Sequence, residues 1–205
     1  MQLVLASASP ARLGVLRAAG LDPLVQVSDV DEDALLSELA DAAPEQRVTA
    51  LAEAKAGCVA DRTGYPHAVV VGCDSMLWID GELVGKPGTA ACAHRRWTTM
   101  AGRTGELITG HAVLLVLGGT VQRRALGHAV TQVRFAEPTA AELAAYIASG
   151  EPLAVAGGFT LDGLGGWFVE GLDGDPSNVI GISLPLMRRL FAQVGVTLPD
   201  LWHAS

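Results

Sequence analysis

Residues 68–87, AVVVGCDSMLWIDGELVGKP, constrain the fold more strongly than any other stretch of the chain. Four apolar residues without polar alternation open this stretch and predict a strand that is buried on both faces. Asp74 follows where the apolar run ends, and Asp80-Gly81 predicts a tight hairpin turn between MLWI and ELV. Because ligands bind beyond the carboxyl ends of strands in open α/β sheets, we expect Asp74 and Lys86 to face a common cleft. The alternative is a surface salt bridge on a hairpin.

Length and charge limit the classes of protein that this chain can represent. Its 205 residues are typical of one domain or of two closely joined lobes. A net charge of −8 argues against a nucleic-acid-binding surface, which needs a basic footprint. No apolar run approaches the ~18 residues that span a bilayer, and the N-terminal MQLVLASASP lacks the basic segment of a signal peptide. We therefore expect a cytoplasmic protein that binds neither nucleic acid nor membranes.

The cysteines do not predict a metal site. Cys58, Cys73 and Cys92 are widely spaced, no C-x-x-C is present, and no histidine pair has ligand spacing, so we expect free thiols rather than structural zinc. Cys73 and His111 can be combined into a thiol–base pair. The apolar strand around Cys73 instead favours a buried, inert thiol.

The hydrophobic periodicity predicts an alternation of strands and helices. The first predicted helix has Ser9 as its N-cap, Pro10 at its first position and Gly20 at its end. The other predicted elements are strands over 2–6, 24–28, 106–117 and 121–135, helices over 44–62, 90–100, 139–149 and 184–194, and a short strand over 167–169.

Several charged and polar residues lie at predicted element ends. Ser7, Ser9 and Arg12 surround a helix N-terminus, which is either an anion site or an ordinary capped helix. Glu32 belongs to an acidic cluster that lacks the glycine and the closing glutamate of an EF-hand loop. Such a cluster favours a helix N-terminus, and a magnesium or water contact is the alternative. Lys55 lies near an apolar helix face, which favours a snorkelling lysine over a phosphate ligand.

Common nucleotide and hydrolase motifs are absent from the sequence. A Walker A loop would need glycine in place of Asp80 and Ser or Thr in place of Pro87, and neither G-x-G-x-x-G nor G-x-S-x-G occurs. The isolated charges at strand ends and helix starts remain. Cations that hold an oxyanion and carboxylates that hold a metal or accept a proton are suited to attack by water on a phosphate.

Six ordered blocks of sequence resemble the Maf-like nucleoside triphosphate pyrophosphatases, especially their actinobacterial branch. The blocks are LASASPARLGVLRAAG, VDED, LAEAKA, VGCDSMLWIDGELVGKP with MAGRTGELITGH, YIASGEPLAVAGGFTLDGLGGWF and SNVIGISLPL. Together they extend from Leu3 to Leu190. Six blocks in the same order are far more specific than any one of them alone.

The resemblance implies a fold and an activity. The expected fold is a single α/β domain over residues 1–205, with two lobes about a central twisted mixed β-sheet and a cleft between them. The expected activity is hydrolysis of a standard or modified nucleoside triphosphate to the monophosphate and pyrophosphate, aided by Mg²⁺, Mn²⁺ or Co²⁺. A homodimer is the default among soluble oligomers.

The resemblance also implies roles for individual residues. Asp74 matches the proton acceptor of the family and Glu32 matches its second acid, and both are expected to bind the metal. The expected phosphate contacts are Ser7, Ser9, Arg12, Lys55 and Lys86.

Three positions depart from the family pattern, and they are associated with substrate choice. Ala11 replaces an arginine, Ser75 replaces a threonine, and Asp162 replaces a glutamine. A carboxylate at Asp162 accepts hydrogen bonds but cannot donate them as glutamine does, which favours a base that presents an amino group.

Two other functions remain open at this point. One is a phosphohydrolase that releases orthophosphate from the same cleft. The other is a non-catalytic regulator of septum formation and cell division that acts by protein binding, a role that is also attached to this family.

Overall fold

The structure is a computed structural model and describes residues 1–62 and 64–202. Strands and α-helices alternate along the chain. The strands are β1 (Gln2–Leu5), β2 (Leu24–Val25), β3 (His67–Ile79), β4 (Glu82–Val84), β5 (Thr104–Leu117), β6 (Thr120–Phe135) and β7 (Val169–Asp173). The helices are α1 (Pro10–Ala18), α2 (Glu32–Glu38), α3 (Pro44–Ala60), α4 (Ala90–Met100), α5 (Ala140–Ala148), α6 (Pro176–Ile180) and α7 (Leu184–Val194).

The strands form a mixed sheet, which confirms the predicted α/β class. The strand order is β2-β1-β3-β5-β6-β7, and β4 pairs with β3 outside this order. Strand β1 is parallel to both β2 and β3, whereas the pairs β3–β4 and β6–β7 are antiparallel. The chain folds into two compact units. The first contains the described residues of Met1–Asp74, Thr109–Ala129 and Gly181–Ser205, and the second contains Ser75–Ile108 and Val130–Ile180.

In the first unit, both faces of β3 are buried, as its apolar run predicts. Val69, Val71 and Cys73 belong to a core formed with residues of α1 and α7. Ala68 and Val70 point to the opposite face and belong to a core formed with α3. This alternation places Gly72 and Asp74 on the face covered by α3.

Two glycines allow α3 to approach the sheet closely. A Cβ atom on Gly72 of β3 would lie 2.2 Å from the carbonyl oxygen of Ala52, and one on Gly110 of β5 would lie 2.2 Å from that of Val48. Any side chain at these positions would therefore push the helix away. Close approach of a backbone is a principal reason for glycine inside a strand.

In the second unit, an aromatic cluster forms the centre of the core. Trp97 of α4 is fully buried and packs edge-to-face against Phe135, Tyr146 and Phe168, with ring centroids 5.9, 6.0 and 5.7 Å away. Its indole N–H donates to the carbonyl oxygen of Gly158 at 2.9 Å, so the polar atom of this large side chain is satisfied.

Most predicted elements are confirmed, and α4 and α7 have the predicted bounds. The hairpin turn is also confirmed, because Asp80 and Gly81 have φ angles of 52° and 83° between the antiparallel strands β3 and β4. The predicted strand over 167–169 is wrong. A short 3₁₀ helix, Leu164–Phe168, occupies most of that stretch, and β7 begins only at Val169.

Strand β3 is also longer than expected. It continues through Asp74 to Ile79 instead of ending with the apolar run, because the segment MLWI extends the same strand. Its parallel partner β1 pairs only as far as Leu5, which lies opposite Val71. Asp74 therefore lies three residues beyond the end of the shorter strand.

Among the described residues, none of the helices is both long enough and apolar enough to cross a bilayer.

Candidate active site

The loop between β1 and α1 is organised by its two serines. Ser9 is the N-cap of α1, and its hydroxyl accepts from the amide of Arg12 at 3.3 Å. The buried Ser7 hydroxyl accepts from the amide of Ser9 at 3.2 Å. Pro10 occupies the first helical turn, where its missing N–H costs nothing. The loop thus joins the end of β1 to a helix N-terminus, where positive potential collects.

Arg12 is held over this loop by two further contacts. Its Nε donates to the carbonyl oxygen of Gly181 at 2.8 Å, and its Nη1 donates to the Ser7 hydroxyl at 3.0 Å. Together these bonds fix a guanidinium beside a helix N-terminus. The combination favours an anion over an ordinary capped helix.

Lys55 joins the two candidate acids. Its Nζ lies 2.6 Å from a carboxylate oxygen of Asp74 and 2.9 Å from one of Glu32. The side chains of Lys55 and Asp74 are 10% and 11% exposed, whereas that of Glu32 is 49% exposed. The prediction of a snorkelling lysine is therefore wrong. Lys55 stays on the buried face of α3 because a buried carboxylate meets it there.

The approach of α3 to β3 explains how Lys55 reaches Asp74. Gly72 contacts α3 at Ala52 and Ala56, and Asp74 lies two residues further along the same strand face. Lys55 lies between these contact points on the helix, so its ammonium meets the carboxylate. Because Asp74 is buried, the alternative of a surface salt bridge on the hairpin is wrong for this residue.

Asp74 has an electrostatic environment that suits a proton acceptor. Burial raises the pKa of this carboxyl above its ordinary value, although the positive charges of Lys55 and Arg12 oppose the rise. An ordinary aspartate is a weak base near neutral pH, so a raised pKa increases its ability to accept a proton. Perturbed carboxyl groups of this kind cluster at functional sites.

The carboxylates suit a metal ion that is bound partly by its substrate. Within residues 1–62 and 64–202, no group of three or more His, Cys, Asp or Glu side chains could hold a metal ion. Mg²⁺ is commonly held by one or two carboxylates, with waters and substrate phosphates completing its shell. The pair of oxygen donors on Asp74 and Glu32, which already converge on one cation, therefore fits such an ion.

Cys73 and His111 do not form a thiol–base pair. Burial raises the pKa of the Cys73 thiol to about 12, so the thiol stays protonated and inert, as predicted. His111 is fully buried, and its Nε2 accepts from the amide of Ser183 at 2.8 Å. Its Nδ1 lies 3.0 Å from the carbonyl oxygen of Thr109. Both ring nitrogens are therefore engaged, and the bond at Nε2 supports the start of α7.

Lys86 lies in the second unit, on a loop that neighbouring residues hold in place. The side chain of Arg96 and the amide of Gly157 both donate to the carbonyl oxygen of Gly85. The amide of Gly88 donates to the carbonyl oxygen of Leu153 at 2.9 Å. Lys86 itself is exposed between these fixed points. That Lys86 and Asp74 face one cleft stays a prediction.

The two remaining candidates also lie in the second unit. Ser75 is half-buried and follows Asp74 directly on β3. Asp162 is exposed, on the loop that precedes the short helix Leu164–Phe168. Ala11, the third position that departs from the family pattern, lies in the first turn of α1, next to Arg12.

The structure thus brings six of the predicted residues together inside the first unit. Ser7, Ser9 and Arg12 form one hydrogen-bonded group, Lys55 joins Asp74 and Glu32, and the charge of Arg12 acts on Asp74. Sequence reasoning missed the carbonyl group of Gly181, because a backbone acceptor leaves no signal in residue types. It also missed Arg96 and Glu151, although the glycine-dense segment after Glu151 could have drawn attention to that carboxylate.

Comparisons with known proteins agree with the resemblance in the sequence blocks. A family model described as Maf-like protein matches residues 2–194. A nucleoside triphosphate pyrophosphatase of Saccharopolyspora erythraea is 64% identical over 205 residues, which cover 98% of this chain and 97% of the relative. One from Rhodococcus jostii is 61% identical over 206 residues, which cover 98% and 96%. A crystal structure of a nucleoside-triphosphatase (dITP/XTP pyrophosphatase) from Mycobacterium abscessus aligns with a TM-score of 0.30 at 16% identity, over 66% of this chain and 73% of that one, which is too weak to carry an argument.

Proposed function

The chain belongs to the Maf-like family, and on that premise we propose how its residues act as a nucleoside triphosphate pyrophosphatase. An enzyme of this class hydrolyses a nucleoside triphosphate to the monophosphate and pyrophosphate. The observation that carries the proposal is the buried Asp74 carboxylate, which has a raised pKa and lies against Lys55.

Asp74 is the general base of the proposed reaction. Its carboxylate takes a proton from a water molecule, which attacks the α-phosphorus. The bond from the α-phosphorus to the bridging oxygen breaks, and pyrophosphate leaves. The raised pKa of Asp74 supports this role, because a stronger base takes the proton at lower cost.

The cations neutralise the phosphate oxygens. Arg12 and the amides at the start of α1 face one anion, and Arg12 is already fixed by Ser7 and Gly181. Lys55 lies beside the base, and Lys86 is an exposed cation of the second unit. Positioned positive groups that meet developing charge commonly provide the largest share of phosphoryl-transfer catalysis.

A divalent cation, Mg²⁺, Mn²⁺ or Co²⁺, would be held by Asp74 and Glu32. Such an ion would polarise a phosphoryl oxygen and lower the pKa of a bound water. Glu32 suits this role because its side chain is half exposed, so an incoming ion with its waters can reach it.

The test is the variant Asp74→Asn, which keeps the shape of the side chain and removes its basicity. We expect pyrophosphate release to fall by roughly 10²–10⁴-fold, because that is the usual contribution of a general base, while nucleotide binding persists. Asp22→Asn is the matched control, since Asp22 lies in the same unit on an exposed ion pair with Arg17. Near-wild-type release of pyrophosphate by Asp74→Asn would contradict the assignment.

Product analysis separates the rival functions. Pyrophosphate and monophosphate must appear in equal amounts, whereas orthophosphate would indicate the alternative phosphohydrolase. A non-catalytic regulator of septum formation would show no turnover of any triphosphate with any divalent metal. The ion-paired Asp74 favours the enzyme, because a protein-binding role does not require a buried acid of raised pKa.

The proposal also covers the choice of nucleobase, the localisation and the oligomeric state. Ala11, Ser75 and Asp162 select the nucleobase, and a panel of standard and modified triphosphates identifies it by the largest kcat/KM. The protein is a cytoplasmic homodimer that binds nucleotides rather than nucleic acids. Light scattering on a gel-filtration peak tests the oligomer, and a monomer at micromolar concentration would contradict it.

A further inference from the structure

Glu151 closes the loop that carries Asp162. Its carboxylate accepts hydrogen bonds from the hydroxyl of Thr160, from the amide of Leu164 at 3.0 Å and from the amide of Gly165 at 2.9 Å. The Thr160 hydroxyl also accepts from the amide of Gly165 at 3.1 Å. One carboxylate thus joins both ends of the loop formed by residues 160–165.

The glycines of this loop allow its backbone to pack against that carboxylate. A Cβ atom on Gly163 would lie 2.6 Å from an oxygen of Glu151, and one on Gly165 would lie 2.6 Å from the amide nitrogen of Thr160. One on Gly166 would lie 2.7 Å from the carbonyl oxygen of Leu161. Glycine at these three positions therefore lets the loop backbone lie close to Glu151 and to the loop's own residues.

The carboxylate is charged in this position. Burial raises the pKa of Glu151, but hydrogen bonds from Thr160 and from the amides of Leu164 and Gly165 more than offset that rise. The pKa is consequently lower than usual, and Glu151 is ionised at neutral pH. Hydrogen bonds to an ionised acceptor are about twice as strong as neutral ones.

We propose that Glu151 is a positioning residue that sets substrate selectivity by fixing the loop on which Asp162 is exposed. Glu151 acts through the loop and does not touch the substrate. The inference rests on the proposed function, because it takes Asp162 as a contact of the nucleobase. It extends that function, because it assigns a part in base selection to Glu151, which is not one of the three positions that depart from the family pattern.

The variants Glu151→Ala and Glu151→Gln test this role. Alanine removes all three bonds, so we expect KM to rise roughly tenfold and the preference among triphosphates to shrink, with kcat changed less than about twofold. Glutamine keeps one accepting oxygen and places donors where the second oxygen was, so its effect should be intermediate. Hydrogen exchange at the amides of Leu164 and Gly165 should accelerate in the same order.

Glu142→Ala is the matched control. Glu142 lies in the same unit and accepts from the amide and the hydroxyl of Thr139, so it makes the same kinds of bond at a helix start. We expect this variant to lose stability and to keep its KM and its preference among triphosphates. A change in KM equal to that of Glu151→Ala would indicate a general loss of stability and would overturn the inference.

A double-mutant cycle with Asp162→Ala tests whether both residues act on one contact. If Glu151 acts through Asp162, the double variant should discriminate among triphosphates no worse than Asp162→Ala alone. Full additivity would overturn the inference, as would an unchanged KM in Glu151→Ala. Those results leave the proposed function standing if the wild type releases pyrophosphate. A wild type that releases none from any triphosphate overturns both proposals.

Discussion

Removing Lys55 is the sharpest test of the electrostatics of the first unit. The variant Lys55→Met keeps most of the side-chain volume and removes the ammonium between Asp74 and Glu32. The chain has one other lysine, Lys86, which is exposed. Lys86→Met therefore makes the same chemical change where no buried ion pair depends on it.

The burial of the two partners sets the magnitude of the effect. An ion pair to the half-exposed Glu32 contributes only about 0–1 kcal/mol. Breaking a buried pair by removing one partner costs about 3–5 kcal/mol, because the other charge stays buried without compensation. We therefore expect Lys55→Met to lower the free energy of unfolding by about 3–5 kcal/mol near pH 7, almost entirely through Asp74. Lys86→Met should change it by less than about 0.5 kcal/mol.

The pH dependence follows from the direction of the pKa shift. Burial raises the folded-state pKa of Asp74, and Lys55 is the strongest of the opposing influences, so the pKa rises further without it. An acid with a raised folded pKa gives stability that is fully present below its unfolded pKa and is lost as the pH rises through its folded pKa. The deficit of Lys55→Met should consequently be largest at neutral pH and should shrink in acid.

Urea unfolding at pH 7 and at pH 5 measures both quantities, with Lys86→Met as the reference at each pH. Asp74→Asn combined with Lys55→Met removes the uncompensated charge and should be more stable than Lys55→Met alone. A loss below about 1 kcal/mol at pH 7, the range of an exposed pair, would refute the reasoning. A loss that persists unchanged when Asp74 is also replaced would refute it as well.

Two further predictions concern packing and capping. Gly72→Ala should lower the melting temperature and slow turnover, because its Cβ would lie 2.2 Å from the Ala52 carbonyl oxygen. In the control Gly57→Ala, on α3, the new Cβ has no atom within 4 Å, so the free energy of unfolding should rise by up to about 1 kcal/mol. Hydrogen bonds from Thr139 lower the pKa of Glu142 in the folded state. The cap therefore contributes its full stability at a pH above the ordinary pKa of glutamate, and it loses this contribution as the pH falls through the lowered folded-state pKa. The cost of Thr139→Ala, measured by urea unfolding, should therefore be smaller at pH 3 than at pH 7.

Local physical rules explain why much of the fold could be predicted from the sequence. Ser9 and Thr139 cap helices as their residue types predict, and Asp80-Gly81 forms the expected turn. The unbroken course of β3 from the apolar run into the hairpin could not be predicted, because β3 also pairs with β5, which is remote in sequence. The strand predicted over 167–169 was wrong for a related reason. An apolar triplet among glycines is compatible with a strand and with a 3₁₀ turn. The hydrogen bonds from the amides of Leu164 and Gly165 to Glu151 favour the turn.

The candidate site likewise has a part that could be predicted from the sequence and a part that could not. The sequence placed Ser7, Ser9 and Arg12 at one helix start, since capping is a local property. It could not predict that Lys55 would meet Asp74, because that contact depends on how closely α3 approaches β3. This approach depends on Gly72, which in the sequence only follows the end of an apolar run.

Stability alone does not explain the pairing of Lys55 with Asp74. A buried ion pair can often be replaced by well-packed apolar residues at no cost, or with a gain of about 1–4 kcal/mol. Stable packing of α3 on β3 therefore does not require these charges, and Asp74 retains a raised pKa despite two neighbouring cations. Burial strengthens the base, whereas Lys55 keeps it ionised, and the proposed reaction needs a carboxylate that both carries its charge and accepts a proton. That balance is the physical reason to connect the site with attack by water on a phosphate rather than with stability of the fold.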